Sequence, residues 1–174
     1  MYDVTHQNGE FVLHGELLDG TDSSLKNNGY VGIGIYEPSN AVNVGGLFRS
    51  AYAMGAHFIF TIGGTYKTQK SDTIKSSQKI PLFRFQNQEM FFESIPIQSQ
   101  VCAIDNTRVN RIPTKLQNFE HPQHCIYVLG KEIGGLSNYI IKRANRYVYL
   151  PTTVCLNVAT MGSIVLYDRI LKNR

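Results

Sequence analysis

Three short segments carry polar side chains of the kinds that bind substrates and stabilise charge, and apolar stretches surround each of them. In the first segment, Asn43 and Arg49 interrupt an apolar helical pattern beside the pair Gly45–Gly46. An amide can orient a substrate, and a guanidinium can hold a phosphate or stabilise a developing oxygen anion. Because each glycine costs a helix about 1 kcal/mol relative to alanine, we expect a ligand or another chain to approach this backbone. A core helix softened by glycine, with a surface arginine, is the alternative.

The second and third segments each follow an apolar strand pattern and lead into a helical one. The second contains Gly130, Glu132 and another glycine pair before Ser137, which can cap the next helix. Backbone amides freed by such a loop can bind an adenine edge or a carboxylate; a tight turn with a solvated glutamate is the alternative. In the third segment Asn157 precedes a long amphipathic helix, and by itself this position predicts a helix N-cap.

Strand and helix patterns alternate along the chain from residue 30. They predict strands at 30–36, 57–62, 82–85, 101–104, 126–129 and 147–150, and helices at 40–54, 88–95, 137–144 and 156–171. Such alternation predicts an α/β fold, a mostly parallel sheet with flanking helices. Ligands bind outside the carboxyl ends of the strands in such sheets. We therefore expect the site in the segments 37–43, 63–79, 105–108, 130–137 and 151–157.

Length and charge indicate one main domain with a short extension. The chain has 174 residues, 43% hydrophobic and 17% charged, which suits a single globular domain. Residues 1–30 carry a net charge of −4 and residues 31–174 a net charge of +8. We interpret residues 1–29 as an acidic N-terminal extension, either weakly ordered or a peripheral hairpin, and 30–174 as the domain. The basic body favours a polyanionic partner such as RNA or DNA.

Several classes of protein are excluded by what the chain lacks. It has no apolar run long enough to span a membrane and no dinucleotide fingerprint or P-loop. Its three cysteines form no C-x-x-C pair, which suits a reducing compartment, and we expect a cytoplasmic protein. We interpret the cluster His121–Cys125 as a loop leading into a buried strand, so no metal site is expected.

Taken together and in this order, the three segments resemble the three sequence motifs of the SpoU-type (TrmH-like) branch of the SPOUT methyltransferases. The motif N-x-G-x-x-x-R-x-A is matched by Asn43, Gly45, Arg49 and Ala51, the motif L-G-x-E-x-x-G-L-S by Leu129, Gly130, Glu132, Gly135, Leu136 and Ser137, and the third by Leu156, Asn157 and Val158. The resemblance covers about residues 30–172. It implies a SPOUT-like fold with a C-terminal trefoil knot at about 126–171, and a homodimer with the site at its interface.

The resemblance also implies an activity, which is transfer of a methyl group from S-adenosylmethionine to a ribose 2′-hydroxyl of tRNA or rRNA. By this resemblance the catalytic residues are Asn43, Arg49, Glu132 and Asn157. The residues that hold the adenosyl part of the cofactor are Leu129, Gly130, Glu132, Ile133, Gly135, Leu150, Leu156 and Asn157. Arg49 would also hold the RNA. Lys67, Lys70 and Lys75, in the loop 63–79, could contact RNA phosphates, and a solvated loop is the alternative.

The third segment departs from the family pattern. Members of the family usually have a serine two residues before the asparagine, where this chain has Cys155, and a second serine where it has Ala159. A thiol is a weaker hydrogen-bonding group than a hydroxyl. A knotted RNA-binding protein with impaired catalysis is therefore the alternative function.

Overall fold

The computed structural model describes residues 3–7, 10–14, 29–64, 79–106 and 111–173. Within these ranges the strands are β1 (Asp3–Gln7), β2 (Glu10–His14), β3 (Val31–Tyr36), β4 (Phe58–Ile62), β5 (Leu82–Phe85), β6 (Gln100–Ile104), β7 (Thr114–Lys115), β8 (Cys125–Leu129) and β9 (Arg146–Tyr149). The helices are α1 (Ala41–Ala53), α2 (Gln88–Glu93), α3 (Asn138–Arg143) and α4 (Val158–Lys172), with a 3₁₀ turn at Leu116–Asn118.

Seven of the described strands form one parallel sheet. Its order is β5-β4-β3-β8-β6-β9-β7, and every neighbouring pair runs parallel. This confirms the predicted α/β fold with a mostly parallel sheet. The strands β1 and β2 pair antiparallel in a separate two-stranded sheet.

Helices cover both faces of the large sheet. On one face α1 and α4 bury their apolar sides against β3, β6 and β8, with Leu47, Val165 and Ile33 fully buried. On the other face Phe91 of α2 and Ile140 of α3 pack with sheet residues such as Phe60 in a second apolar cluster. Burial on both faces explains why the central strands are continuously apolar instead of alternating with polar residues.

Two glycines in β3 make room for aromatic rings of its neighbour β4. A Cβ on Gly32 would lie 2.0 Å from the Phe58 ring, and one on Gly34 would lie 2.3 Å from the carbonyl oxygen of Phe60. The rings therefore lie directly over the bare backbone of β3, and any side chain there would push the two strands apart. Gly32 and Gly34 thus allow this buried strand to pack closely against its neighbour.

The element boundaries follow the capping residues. Asn40 starts α1 because its side-chain oxygen accepts from the Val42 amide at 2.9 Å, and Ser137 caps α3 through the Ile140 amide. The last helix begins at Val158, two residues later than predicted, because Asn157 is its N-cap. The short strand β7 was not predicted, because two exposed polar residues show no alternation of apolar and polar side chains. No helix among the described residues is both long and apolar enough to cross a bilayer.

Candidate functional site

The three polar segments meet at one edge of the sheet. The strands β3, β8, β6 and β9 are consecutive neighbours and parallel, so their carboxyl ends lie side by side. The segments that follow β3, β8 and β9 lead to Asn43, Glu132 and Asn157. Along the chain, Glu132 and Asn157 lie 89 and 114 residues from Asn43. This is the edge at which parallel α/β sheets bind ligands.

A chain of side-chain hydrogen bonds joins the three segments. The Asn43 amide donates from Nδ2 to Oε1 of Glu132 at 2.6 Å, and Nδ2 of Asn157 donates to Oδ1 of Asn43 at 2.8 Å. The other Glu132 oxygen accepts from the Ser39 hydroxyl at 3.2 Å. Asn43 is thus the central member, using its oxygen for one motif and its nitrogen for another.

Asn157 has two structural roles. Its Oδ1 accepts from the backbone amides of Ala159 and Thr160 and so caps α4, as its sequence position predicts. Its Nδ2 is the donor to Asn43. The capping bonds fix the side chain, so that the amide nitrogen is already aimed at α1.

Arg49 lies away from this network. Asn43, Gly46 and Ser50 form the face of α1 that packs on α4, where Ser50 and Ser163 are bonded at 2.8 Å. Helix geometry places Arg49 about 9 Å farther along the axis than Asn43 and about 120° around it. Its side chain is exposed, and in the described part of the chain no hydrogen bond joins it to Asn43 or Glu132. Arg49 is therefore not part of the hydrogen-bond network that joins Asn43 to Glu132.

A cavity opens beside the hydrogen-bonded residues. The volume of this cavity that is open to the centre of a water-sized molecule is about 200 Å³. Its walls are the 130–135 loop, the end of β6 and the start of α4, with the lining residues Asp105, Asn106, Gly130, Lys131, Glu132, Gly134, Gly135, Cys155, Leu156, Val158 and Met161. Apolar side chains on one wall and two carboxylates on the others suit a ligand with a flat apolar part and a positive charge.

The glycines of the 130–135 loop give this cavity its shape. Gly134 and Gly135 have φ values of +96° and +64°, which side chains rarely allow. A Cβ on Gly130 would lie 2.9 Å from the backbone of Gly135, because the loop folds back on itself through a bridge between Lys131 and Gly135. The loop is therefore tight, and its backbone borders the cavity directly.

A second cavity also borders Glu132 and is lined by Glu37, Ser39, Asn40 and Ile133 among others. Glu37 pairs there with Lys131 at 2.5 Å. The hydrogen bond from Lys131 lowers the pKa of Glu37, and the same bond raises the pKa of Lys131. Glu37 has a φ of +45°, a strained conformation for a residue other than glycine. Lys131 and Glu132 line both cavities.

Four of the predicted cofactor-binding residues line the first cavity, and four do not. Gly130, Glu132, Gly135 and Leu156 do. Leu129 is a fully buried residue of β8, and Leu150 is buried with its backbone bonded to Asn106. Ile133 is 88% exposed and borders the second cavity, and Asn157 lies on the network beside the first.

Lys67, Lys70 and Lys75 lie outside the described residues. The cavity residues that sequence reasoning did not single out are Asp105, Asn106, Lys131 and Met161. The segment 105–108 was expected at the site only because it follows a strand. Within the described ranges no group of three or more His, Cys, Asp and Glu could hold a metal ion.

Comparison with known proteins identifies a family and a fold. The model of the SpoU rRNA Methylase family matches residues 31–167. Among solved structures, the SpoU methyltransferase AviRb from Streptomyces viridochromogenes in complex with AdoMet superimposes with a TM-score of 0.73 at 20% identity, covering 93% of this chain and 66% of that one. An AdoMet-bound rRNA methyltransferase from Sinorhizobium meliloti gives 0.70 at 22% identity, covering 82% and 56%.

A third similar structure belongs to a study of the 2-OH methylation of C/U34 on tRNA. Its TM-score is 0.72 at 19% identity, and the match covers 83% of this chain and 97% of that one. The chain thus spans less than two thirds of the AviRb and S. meliloti proteins but nearly all of this shorter one. No curated protein matches the chain significantly.

Proposed function

The chain belongs to the SpoU rRNA methylase family, and we propose that it transfers a methyl group from S-adenosylmethionine to a ribose 2′-hydroxyl of RNA. The observation that carries this proposal is the hydrogen-bond chain from Glu132 through Asn43 to Asn157, which joins the three motifs beside a cavity that Glu132 lines. The trefoil knot at about 126–171 stays a prediction of this membership.

The residues of the first cavity fit S-adenosylmethionine. Leu156, Val158 and Met161 offer an apolar wall for the adenine, and the bare backbone of the 130–135 loop lets a flat ring approach closely. The carboxylates of Asp105 and Glu132 suit the positive charges of a sulfonium and an ammonium group. Two of the similar structures are described with AdoMet bound. When bound, this cofactor supplies a methyl group that a ribose oxygen attacks in line from about 3–3.5 Å.

The chain's own residues position the acceptor. Both oxygens of Glu132 accept hydrogen bonds, from Ser39 and Asn43, so this carboxylate holds the first motif against the second. Asn157 fixes the third motif from the other side of Asn43. We propose that the target nucleotide binds in the second cavity, which is bordered by Ser39, Asn40 and Glu132. Holding donor and acceptor in line can supply about 7–11 kcal/mol of the barrier.

Arg49 acts on the RNA as a fixed positive charge. A guanidinium keeps its proton in proteins, so Arg49 binds a phosphate or stabilises the developing alkoxide instead of taking the hydroxyl proton. Because Arg49 points away from the network of its own chain, we propose that the site is completed in a homodimer, as the resemblance implies. The RNA is tRNA or rRNA, and similar structures carry descriptions of both kinds.

The test starts with cofactor binding and then asks for methyl transfer. We expect calorimetry to give micromolar binding of S-adenosylhomocysteine. Incubation with labelled S-adenosylmethionine and either total tRNA or rRNA should then label one pool, and nuclease digestion should place the label on a 2′-O-methylated nucleoside. Cofactor binding without label in either pool would favour the alternative, an RNA-binding protein with impaired catalysis, for which Cys155 in the cavity wall is the supporting observation.

The variant Asn43→Ala tests the role of the network. It removes both hydrogen bonds of the central residue, and we expect methylation to fall about 100-fold because the reacting groups lose their alignment. Ser50→Ala is the matched control, since it removes the Ser50–Ser163 bond on the same face of α1, two turns farther along. Equal losses of activity in the two variants would contradict the proposed role of Asn43.

A further inference from the structure

The side chain of Asn106 continues the hydrogen-bond ladder between β6 and β9 beyond the end of β6. The backbone pairing runs as far as the Asp105 amide, which donates to the Val148 carbonyl at 3.1 Å. Asn106 then replaces the backbone: its Oδ1 accepts from the Leu150 amide at 3.1 Å, and its Nδ2 donates to the Leu150 carbonyl at 3.0 Å and to the Thr152 hydroxyl at 3.2 Å. The first residues of the segment 150–157 are thereby tied to the sheet.

Asp105 precedes Asn106 in the chain and holds the end of the 130–135 loop, which also lines the first cavity. Its carboxylate is buried, and Oδ2 accepts from the Leu136 amide at 2.5 Å. Leu136 closes the 130–135 loop, which follows β8 on one side of β6, whereas the 150–157 segment follows β9 on the other side. Two consecutive side chains at the end of one strand thus hold the two loops that form opposite walls of the first cavity, and both residues line it.

We propose that Asp105 and Asn106 are positioning residues that keep these two loops in the arrangement that binds the cofactor. The segment 151–155 has no helix or strand and is exposed, so its path depends on how its first residue is anchored. Without the anchor the loop samples other paths, and the apparent affinity falls in proportion to the fraction that stays competent. The identity of the ligand rests on the proposed function, whereas the holding of the loops does not.

The test compares Asn106→Ala with a matched control at the opposite end of the same strand. The side chain of Asn145 also binds a backbone amide, since its Oδ1 accepts from Val101 at 2.8 Å. This contact lies near the start of β6, whereas the cavity lies beyond the end of that strand. We expect Asn106→Ala to weaken S-adenosylhomocysteine binding about tenfold, the value for a loop left about 10% competent. Asn145→Ala should bind as wild type does, with a comparable loss of melting temperature.

A second pair of variants tests Asp105. Asp105→Asn keeps an oxygen that can accept from Leu136, whereas Asp105→Ala keeps none. We expect Asp105→Ala to bind S-adenosylhomocysteine at least about tenfold more weakly than wild type, and Asp105→Asn to bind more tightly than Asp105→Ala because it keeps an acceptor for the Leu136 amide. A purely structural role would instead lower the melting temperatures and leave the affinities of both variants equal to that of wild type at 10 °C.

Amide hydrogen exchange gives a readout that needs no ligand. In the free protein we expect slow exchange at Leu136 and Leu150, faster exchange at Leu150 in Asn106→Ala, and unchanged exchange there in Asn145→Ala. Wild-type affinity in Asn106→Ala, or unchanged exchange at Leu150, overturns the positioning proposal and leaves the methyltransferase proposal standing. If wild type binds no S-adenosylhomocysteine, the proposed function fails, and the exchange pattern alone decides whether the two side chains hold the loops.

Discussion

Cys155 occupies the mouth of the first cavity, where the family usually has serine. It is exposed, its thiol is free, and it lies two residues before Asn157 on the wall that leads into α4. A thiol donates and accepts hydrogen bonds poorly, so any contact that a hydroxyl makes to the RNA or to an arginine is weakened here. The cofactor does not depend on this contact, because the apolar wall and the glycine loop remain in place.

At this residue we predict that Cys155→Ser raises the rate of methylation. Recovery of one good hydrogen bond in the transition state, about 1 kcal/mol, corresponds to about fivefold in kcat, with the affinity for S-adenosylhomocysteine unchanged. Cys155→Ala is the control, since it removes the thiol without adding a hydroxyl, and it should be no faster than wild type. The comparison uses initial rates on the labelled RNA pool. A slower Cys155→Ser enzyme would show that the thiol is the better group in this site.

The residues that the sequence singled out are those whose types are unusual for their elements. Asn43 is polar on an apolar helix and Glu132 lies between glycines, and the structure brings both together with Asn157. Asp105 and Asn106 could not be found in this way, because an aspartate and an asparagine after a strand are ordinary loop residues. Their bonds to Leu136 and Leu150 depend on which strands are neighbours, and strand order is not written in any local pattern.

The helices α1 and α4 pack against each other through small residues. Gly46 faces Ala159, and a Cβ on Gly46 would meet that methyl group at 3.3 Å. Gly162 faces Leu47 and Leu129, and a Cβ there would lie 2.3 Å and 2.8 Å from their methyl carbons. The close approach of the two helices keeps Asn43 within reach of Asn157, so the packing of these helices also sets the geometry of the site.

We predict opposite effects on stability when these two glycines become alanine. Gly46→Ala gains about 1 kcal/mol of helix propensity and meets one methyl group, which can give by a few tenths of an ångström, so it should be neutral or stabilising. Gly162→Ala gains the same propensity but overpacks a buried interface, which costs about 1–3 kcal/mol, so it should be less stable than wild type. Urea unfolding measures both. A destabilised Gly46→Ala protein would show that the helices cannot yield there.

The central strands were predictable from the sequence, whereas the end of α2 and the placement of the helices were not. Central strands such as β3 and β8 are short apolar runs between glycine and polar residues, and the structure places them within a residue of the prediction. The end of α2 at Glu93, two residues early, was not predictable, since the apolar pattern continues to Ile95. Which helices cover which face was not predictable either, because that follows from the order of strands in the sheet.

The solvent-exposed side of α4 has a row of apolar residues, which we call the apolar stripe. Ile164, Tyr167 and Leu171 lie at positions i, i+3 and i+7 and are 39%, 55% and 49% exposed. Isolated exposed apolar residues are normal, but a row of three along one helix suits an interface. The homodimer that we propose from the resemblance would cover this stripe.

We predict that the protein elutes from gel filtration at the volume of a dimer and that Tyr167→Glu shifts it to a monomer. A glutamate in the middle of the stripe would be buried without a partner in the dimer, and that cost opposes association. Ile97→Glu is the matched control, because Ile97 is fully exposed and lies outside α4. A monomeric wild type, or a dimer that survives Tyr167→Glu, would place the interface elsewhere or remove it. The two results are distinguished by light scattering of all three proteins.

A buried polar cluster ties the far end of α4 to the sheet and to the loop before β8. His121 receives a hydrogen bond at Nδ1 from the Tyr127 hydroxyl and donates from Nε2 to Asp168 at 2.9 Å. Arg169 donates to the carbonyls of Pro122 and Gln123. Burial of His121 is the main cause that lowers its pKa to about 4, against the opposing effect of Asp168 and with added repulsion from Arg169 and Lys172. The imidazole is therefore neutral, which is the form that satisfies both of its ring nitrogens.

This cluster predicts that the folded protein loses stability between pH 6.5 and pH 4. The pKa of His121 is lower in the folded chain than its ordinary value of 6.5, so the unfolded chain binds the proton first. Stability is full above pH 6.5 and falls as the pH drops towards 4, by up to about 3 kcal/mol from this one group.

Urea unfolding at pH 4.5, 5.5 and 7 measures the slope. His121→Gln should be less stable at pH 7 but much less sensitive to pH. His57→Gln changes an exposed histidine whose pKa burial also lowers, and it should keep most of the slope. A His121→Gln protein with the wild-type slope would assign the pH dependence to the carboxylates instead.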